Sequence, residues 1–174
     1  MDRSLIVQQL PGLRRYARAL TGDTWAADDL VQDTLERACV KWRLWVAGTN
    51  LRAWLFTLMH NLYLNQRRGA KVALNSVSID DVELDLQAPS APESPLDIGR
   101  CLQRLPADQR AVLLLVAMED MSYQEAAKVL DIPVGTVMSR LSRARSRLRE
   151  LMDGRDASAA RPASSAAPVL RRMK

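Results

Sequence analysis

Apolar residues are spaced with a helical period along almost the whole chain, and a single stretch of different composition interrupts them. Residues 74–95, LNSVSIDDVELDLQAPSAPESP, are rich in acids, contain three prolines and have no Lys or Arg. Such a stretch cannot bury enough apolar surface to fold alone. The sequence therefore predicts an all-α protein of two small helical domains, residues 1–70 and 95–153, joined by a flexible linker over residues 71–94.

Within these domains the apolar pattern predicts individual helices. In the first domain it predicts helices over residues 5–20, 26–42 and 51–68, and Pro11 marks a start or a bend in the first of them. In the second domain two helices begin near Pro95 and Pro106, and two more follow over SYQEAAKVLD and from Val134 onward. The last stretch, residues 154–174, is low in complexity, which predicts a disordered tail.

Charge and composition narrow the class of protein. The 174 residues carry a formal net charge of +5, and the pI is near 9.7, which suits a polyanionic partner. No apolar run is long enough to cross a membrane, and the N-terminus lacks a signal-peptide layout, so we expect a cytoplasmic protein. Cys39 and Cys101 lie in apolar helical patterns and are predicted to be buried, reduced thiols, with a redox pair or a disulfide to a partner as the alternative.

The C-terminal domain contains a candidate helix-turn-helix. Ser122 and Glu125 have the spacing of a capping box at the start of a short helix. That helix stops at Asp131-Ile132-Pro133, and the next one begins at once near Val134. Two helices joined by so short a turn are typical of a DNA-binding helix-turn-helix.

The second of these helices, PVGTVMSRLSRARSRLREL, holds five arginines and one glutamate. At 100° per residue an apolar seam occupies about 100° of its circumference, formed by Val134, Val137, Leu141, Ala144, Leu148 and Leu151. A cluster of polar residues lies opposite the seam, and Arg145 and Arg149 flank it. A basic face of this kind is either an ordinary solvated surface or a surface that contacts base edges and phosphates, and the preceding short turn favours DNA recognition.

Two helices of the N-terminal domain suggest further partners. ADDLVQDTLERA, residues 27–38, sets acids around an apolar strip, which is either an ordinary solvated face or a surface for a basic protein. The helix over residues 51–68 carries Asn61 and Asn65 near aromatic residues and ends in two arginines. Asparagine is a poor helix former, and such a face fits single-stranded DNA, which proteins bind by stacking and amide contacts.

Five segments, in order, resemble the extracytoplasmic-function (ECF) sigma factors: DDLVQDTLERA, AWLFTLMHNLYLNQRR, LPADQRAVLLLV, MSYQEAAKVL and PVGTVMSRLSRARSRLR. The resemblance covers about residues 5–152 and implies a region-2 domain and a region-4 domain, without region 1.1 or a region-3 domain. It implies a protein that binds RNA polymerase core through the clamp coiled coil and the flap and directs it to chosen promoters. The implied partners include double-stranded promoter DNA, single-stranded −10 DNA and a cognate anti-sigma factor, with no membrane insertion.

The resemblance also implies roles for particular residues. The residues expected to bind core polymerase are Asp28, Asp29, Leu30, Gln32 and Asp33. Those expected at the −10 element and its flipped-out base are Trp45, Thr49, Asn50, Asn61 and Asn65. Those expected at the −35 element are Thr136, Ser139, Arg140, Ser142, Arg143 and Arg147, with Arg140 and Arg147 nearer the DNA backbone. Met138 stands where the family often has a basic residue, and Ser142 replaces a bulkier one, so the −35 sequence does not transfer.

Two other classes of protein are weighed against this interpretation. A conventional helix-turn-helix regulator with a helical sensing domain would explain residues 95–152 equally well, but it leaves the two N-terminal helices unexplained. An enzyme is disfavoured because the chain has one His and lacks phosphate-binding glycine loops, HExxH and paired cysteine ligands. We therefore expect no catalytic activity, metal or cofactor, and we assign His60 to the helix surface or the core.

Overall fold

In a computed structural model of the chain, residues 3–45, 49–75 and 95–153 are described, and every regular element within these ranges is helical. The N-terminal domain consists of α1 (Arg3–Thr21), α2 (Thr24–Lys41), a 3-10 turn (Trp42–Leu44) and α3 (Leu51–Asn75). The C-terminal domain consists of α4 (Pro95–Gln103), α5 (Ala107–Leu113), α6 (Tyr123–Leu130) and α7 (Val134–Met152). The all-α prediction with two helical domains is confirmed. The predicted tail, and the predicted linker beyond residue 75, lie outside the described residues.

The ends of α1 and α2 follow from local chemistry. α1 passes through Pro11 without a break. It ends where Gly22 adopts a φ of 76° and donates its N–H to the Arg18 carbonyl at 2.9 Å, a left-handed conformation that glycine adopts without strain. Asp23 then caps α2, because its carboxylate accepts the Ala26 N–H at 2.7 Å. Only Gly22 and Asp23 therefore separate α1 from α2.

The third helix is longer than its apolar pattern predicts. The apolar pattern predicts that the helix ends at Arg68, whereas α3 continues to Asn75. Gly69 costs a helix about 1 kcal/mol relative to alanine, and the alanines and lysine that follow it favour helix. A single glycine therefore does not end α3.

The two domains pack against each other over one continuous hydrophobic core. α3 lies against α6, and α1 lies against α4, α5 and the segment after α5. In the N-terminal domain, the ring of Tyr16 packs edge-on against Phe56 with centroids 5.2 Å apart. The largest fully buried side chains come from both domains and include Leu13, Leu20, Leu30, Met59, Leu114, Leu115 and Leu151.

The helix that begins as α5 changes its winding before it ends. Leu114–Met118 forms a π-helical turn, in which Glu119 donates its N–H to the Leu114 carbonyl five residues back, at 3.1 Å. The next residue, Asp120, has a φ of 50°. This wider turn places the fully buried Glu119 side chain against the N-terminal domain, where it pairs with Arg15 and Arg52.

Burial corrects two expectations drawn from the apolar pattern. Both cysteines are free thiols, but only Cys101 is buried and Cys39 is exposed. Cys39 is next to Val40, which is 81% exposed, on the side of α2 that faces away from the core. The apolar pattern includes Val134 in the seam of α7, yet this residue lies at the first turn of the helix and is partly exposed. The rest of the seam faces the core, and His60 is also buried.

Candidate nucleic-acid interface

The turn between α6 and α7 is short and fully specified by its hydrogen bonds. Asp131 takes a left-handed conformation with a φ of 52°, and Ile132 donates its N–H to the Ala127 carbonyl at 3.1 Å. The Pro133 carbonyl then accepts the N–H groups of Thr136 and Val137 at 2.9 and 3.1 Å. These bonds fix the crossing of the two helices and confirm the helix-turn-helix.

The capping box at the start of α6 is also present. Ser122 donates its N–H to Glu125 at 2.9 Å, and the Glu125 N–H donates to the Ser122 hydroxyl at 3.2 Å. Hydrogen bonds from the Ser122 backbone and hydroxyl hold the pKa of the Glu125 carboxyl below its ordinary value. The start of α6 therefore carries a carboxylate that stays ionised, next to the N-terminal domain.

Three of the six expected −35 residues form an accessible face on α7. Val137, Leu141 and Ala144 are buried, and the opposite side of the helix faces solvent. Ser139, Ser142 and Arg143 are exposed on that side, whereas Thr136 is partly buried and its carbonyl accepts the Ser139 hydroxyl at 3.1 Å. An α-helix presenting small polar groups and a guanidinium fits the width of the DNA major groove.

Two of the expected arginines have partners within the chain. The Nε atom of Arg140 lies 3.2 Å from the Asp108 carboxylate, and Arg147 lies 3.3 Å from Glu150. Arg140 also lines a cavity of about 580 Å³ between the two domains, together with His60 and Tyr63. Arg140 thus faces the domain junction, away from the exposed face formed by Ser139 and Arg143.

Sequence analysis missed a groove beside that face. An open cavity of about 370 Å³ runs along α7. Its lining includes Tyr123, Met138, Ser142, Arg145 and Arg149. The helical wheel sets Arg145 and Arg149 at the flanks of the apolar seam, and the same geometry brings them onto one side with Ser142. The groove extends the basic surface from the middle of α7 toward its end.

The expected −10 residues are divided between α3 and the turn before it. On α3, the side chains of Asn61 and Asn65 are both exposed. Thr49 and Asn50 are exposed just before this helix begins. Trp45 is half-buried, with its ring centroid 4.9 Å from that of Trp42. Trp42 in turn contacts Trp54 edge-on at 6.3 Å. Trp45 is therefore held in an intramolecular aromatic cluster.

Most of the expected polymerase-binding residues form an acidic face on α2. Asp28, Asp29 and Gln32 are exposed, and Asp33 is half-buried and accepts a hydrogen bond from Gln66 at 3.2 Å. Leu30 is fully buried, which removes it from this face and corrects its assignment as a contact residue. The exposed side of α2 also carries Trp25, to which the sequence analysis assigned no role.

Two family models match the two domains. A model described as the Sigma2 domain of PhyR matches residues 6–60, and a model described as Sigma-70, region 4 matches residues 96–148. These two domains, in this order, define a transcription factor of the sigma class.

The relatives give the family more narrowly. The chain is 36% identical over 153 residues to the ECF RNA polymerase sigma factor EcfG of Rhodopseudomonas palustris, covering 86% of this chain and 84% of that protein. It matches the sigma factor RpoE of Bartonella quintana, solved in complex with the anti-sigma factor NepR, with 38% identity and a TM-score of 0.72, covering 86% and 95% of the two chains. It also matches CnrH, solved with the cytosolic domain of CnrY, with 28% identity and a TM-score of 0.65 over 88% of each chain. The chain belongs to the ECF sigma factors.

This family membership does not favour the conventional-regulator alternative, because the N-terminal domain is itself a sigma domain. None of the helices in the described ranges is both long and apolar enough to cross a membrane. The same ranges contain no group of three or more His, Cys, Asp or Glu side chains that could hold a metal ion.

Proposed function

We propose that this sigma factor binds RNA polymerase core and directs it to promoters by contacting a −10 and a −35 element, acting by binding alone and without a cofactor. One observation carries the proposal: a single chain exposes polar side chains on two helices, α3 and α7, and an acidic face on α2. In this proposal each face has its own partner.

The −35 element is contacted by α7. Arg143 is exposed in the middle of the helix, where a guanidinium can bond to two acceptors of a guanine. Ser139 and Ser142 flank it and suit shorter contacts to base edges. Arg145 and Arg149, along the neighbouring groove, lie on the side suited to phosphates.

The −10 element is contacted as an open strand by α3 and the turn before it. Unstacking a base costs a few kcal/mol, and this cost must be offset by new contacts. The amides of Asn61 and Asn65 are exposed and can hydrogen-bond the edges of an unstacked base. Thr49 and Asn50 extend the contact, and the Trp42–Trp45 pair supplies an apolar wall beside it.

The acidic face of α2 binds core polymerase. Asp28, Asp29 and Gln32 are exposed together, and Trp25 is 86% exposed at the start of the same helix. A surface that combines carboxylates with one large aromatic side chain suits a basic protein partner, because aromatic residues supply much of the binding energy at interfaces. Asp33, held by Gln66, supports this face from its edge.

An anti-sigma factor is the second protein partner in this proposal. RpoE of Bartonella quintana was solved with NepR, and that match spans 86% of this chain. We therefore propose a cognate inhibitor that binds this chain in the same manner, and we place the protein in the cytoplasm, where polymerase and promoter DNA are found.

Transcription in vitro tests the proposal. Purified core polymerase, fragmented genomic DNA of the source organism and this chain should together yield transcripts from a defined set of start sites, and core polymerase alone should not. The variant with Asp28→Lys and Asp29→Lys should lose binding to core polymerase, while its α7 face remains intact. A requirement for a second sigma factor in the wild-type reaction would support the conventional-regulator alternative instead.

A further inference from the structure

Met138 is an exposed apolar residue on a side of α7 that is otherwise polar and basic. It lies in the second turn of the helix, and 54% of its surface is exposed. Ser142 and Arg145, four and seven residues further on, are exposed as well. At 100° per residue both lie within about 40° of Met138, so the three side chains share one side of α7. Met138 therefore borders the face that the proposed function assigns to the −35 element.

The groove beside α7 sets Met138 among groups that suit DNA. The open cavity of about 370 Å³ is lined by Met138 and Ser142 and, further along the helix, by Arg145 and Arg149. Guanidinium groups suit phosphates, whereas a recognition helix contacts base edges through the residues near its N-terminus. Met138 lies at the N-terminal end of this groove. Its position is the one at which a base edge is expected.

Exposed apolar surface in the C-terminal domain is concentrated at the same place. In the described part of this domain the exposed large apolar residues are Ile98, Tyr123, Val134 and Met138. Met138 is the most exposed of these residues, and only Ile98 lies outside the helix-turn-helix. Val134 precedes Met138 by one turn on the same side of α7, so the two form an apolar ridge at the start of the helix. Single exposed apolar residues are ordinary, but a ridge on a recognition helix indicates an apolar partner.

The major groove of DNA offers one apolar group at the base edges, the C5 methyl of thymine. The thioether of methionine donates no hydrogen bond and accepts only weakly, so Met138 cannot read the polar edges that Ser139 and Arg143 suit. Contact with a methyl group removes apolar surface from water on both sides and leaves no polar group unpaired. The unbranched, flexible side chain of methionine can also adapt to the position of the methyl group.

We propose that Met138 is a specificity-determining residue of α7, which selects thymine at one position of the bound DNA by contact with its C5 methyl group. The inference rests on the proposed function, which sets α7 in the major groove of the −35 element. It extends that function, because it assigns an apolar base contact to a helix whose other expected contacts are polar.

Replacing thymidine with deoxyuridine tests the contact, because it removes the methyl group and leaves the hydrogen-bonding edge of the base unchanged. Duplexes of random sequence would be selected with the full-length protein, alone and together with core polymerase. The recovered site would then be synthesised with each thymidine replaced in turn. With the wild-type protein, replacement at one position should weaken binding by about 3- to 5-fold, as expected for the loss of one buried methyl group.

Three variants assign this preference to Met138. Met138→Ala should bind the thymidine and deoxyuridine duplexes equally at that position. Met138→Leu keeps an apolar side chain of similar size and should retain the preference. Ile98→Ala is the matched control: it shortens an exposed apolar side chain in the same domain, away from the helix-turn-helix, and should behave as the wild type. Because Met138 is exposed, its variants should unfold at the same temperature as the wild type, which calorimetry checks.

Two results overturn the proposal: wild-type protein that binds every deoxyuridine duplex as tightly as its thymidine counterpart, or a preference that Met138→Ala retains. Weaker binding of Met138→Ala to core polymerase, with the thymine preference intact, would assign the apolar ridge to a protein partner instead. Sequence selection that core polymerase does not alter would count against the proposed function, while the deoxyuridine comparison still decides the role of Met138. A failure to select any sequence under either condition contradicts both.

Discussion

Asn50 performs two tasks at once: its side-chain oxygen accepts the Ala53 N–H at 3.0 Å, and its side-chain nitrogen donates to Glu125 at 2.8 Å. The first bond caps α3, and the second reaches across the domain junction to the capping box of α6. A residue expected to contact −10 DNA therefore also takes part in the contact between the two domains. Any DNA contact made by its amide nitrogen competes with the bond to Glu125.

Substitutions at Asn50 separate these two tasks. Asn50→Asp keeps the oxygen that caps α3 but sets a carboxylate against Glu125, whereas Asn50→Ala removes both contacts. Because a lost N-cap costs about 1 kcal/mol, we expect the alanine variant to lose the cap and the junction bond, and the aspartate variant to lose only the latter. Urea unfolding of both variants measures the difference. An aspartate variant as stable as the wild type would show that the bond to Glu125 adds nothing.

His60 should make the folded state sensitive to acid. Burial, and then the nearby Arg140 guanidinium, lower the pKa of His60 to about 4, compared with about 6.5 in an unfolded chain. As the pH falls below about 6.5 the unfolded chain takes up a proton first, so the free energy of unfolding should fall by up to about 1.4 kcal/mol per pH unit until pH 4. Above about pH 6.5 this effect is absent.

His60→Leu isolates that contribution. The ring Nδ1 atom is buried without a hydrogen-bond partner in the described part of the chain, so an apolar residue of similar size removes little besides the titrating group. Between pH 6.5 and 4 the difference in unfolding free energy between wild type and variant should change steadily. The contributions of the carboxylates are the same in both proteins and cancel in this difference. Parallel stability curves for the two proteins over this window would contradict the assignment.

Arg143→Ala should weaken binding to the preferred −35 sequence by about 1–3 kcal/mol, if its guanidinium bonds to two acceptors of one base. The loss should be confined to one base pair, and a reporter series of −35 variants would measure it. Arg147→Ala is the comparison: Arg147 is already paired with Glu150, and a phosphate contact there would weaken all sequences equally and reduce the salt dependence. An equal loss on every sequence for Arg143→Ala would make it a phosphate contact too.

Asn61→Ala should reduce discrimination at one −10 position and leave stability unchanged, because the side chain is exposed on α3. Binding of single-stranded −10 oligonucleotides measures the base preference, and core binding should remain at the wild-type level. Gln66→Ala, on a different side of the same helix, serves as the control. The Gln66 side chain bonds to Asp33, so its loss should leave the base preference unchanged. An unchanged base preference in Asn61→Ala would make Asn61 a surface residue of α3 without a DNA contact.

The parts of the fold that sequence analysis predicted are those set by neighbouring residues. The capping box of Ser122 and Glu125, the turn at Asp131 and the apolar seam from Val137 to Leu151 are all specified within a few positions of the chain. The same holds for the exposed arginines of α7, because a helical period fixes which side chains share a face. The helix-turn-helix could therefore be predicted from local sequence alone.

What the sequence could not predict depends on contacts between distant residues. Arg15 and Glu119 are 104 positions apart, and no local pattern links them. The burial of Leu30 is similar: its spacing on α2 fits both a docking face and a core, and only the packing of α1 and α3 against α2 decides. The exposure of Cys39 follows from the same packing, since one turn of α2 cannot show which of its sides is covered.

The π-helical turn at Leu114–Met118 makes the position of the Glu119 side chain depend on the number of residues in the turn. Such a turn accommodates one residue more than an α-helix in the same space. Deleting a single residue within it would restore α-helical register and rotate the flanking positions relative to each other by about 100°. Glu119 would then point away from α1 and α3 without any change in its own codon. A deletion of three nucleotides would thus break both ion pairs, to Arg15 and to Arg52, while all three charged residues remain in the chain.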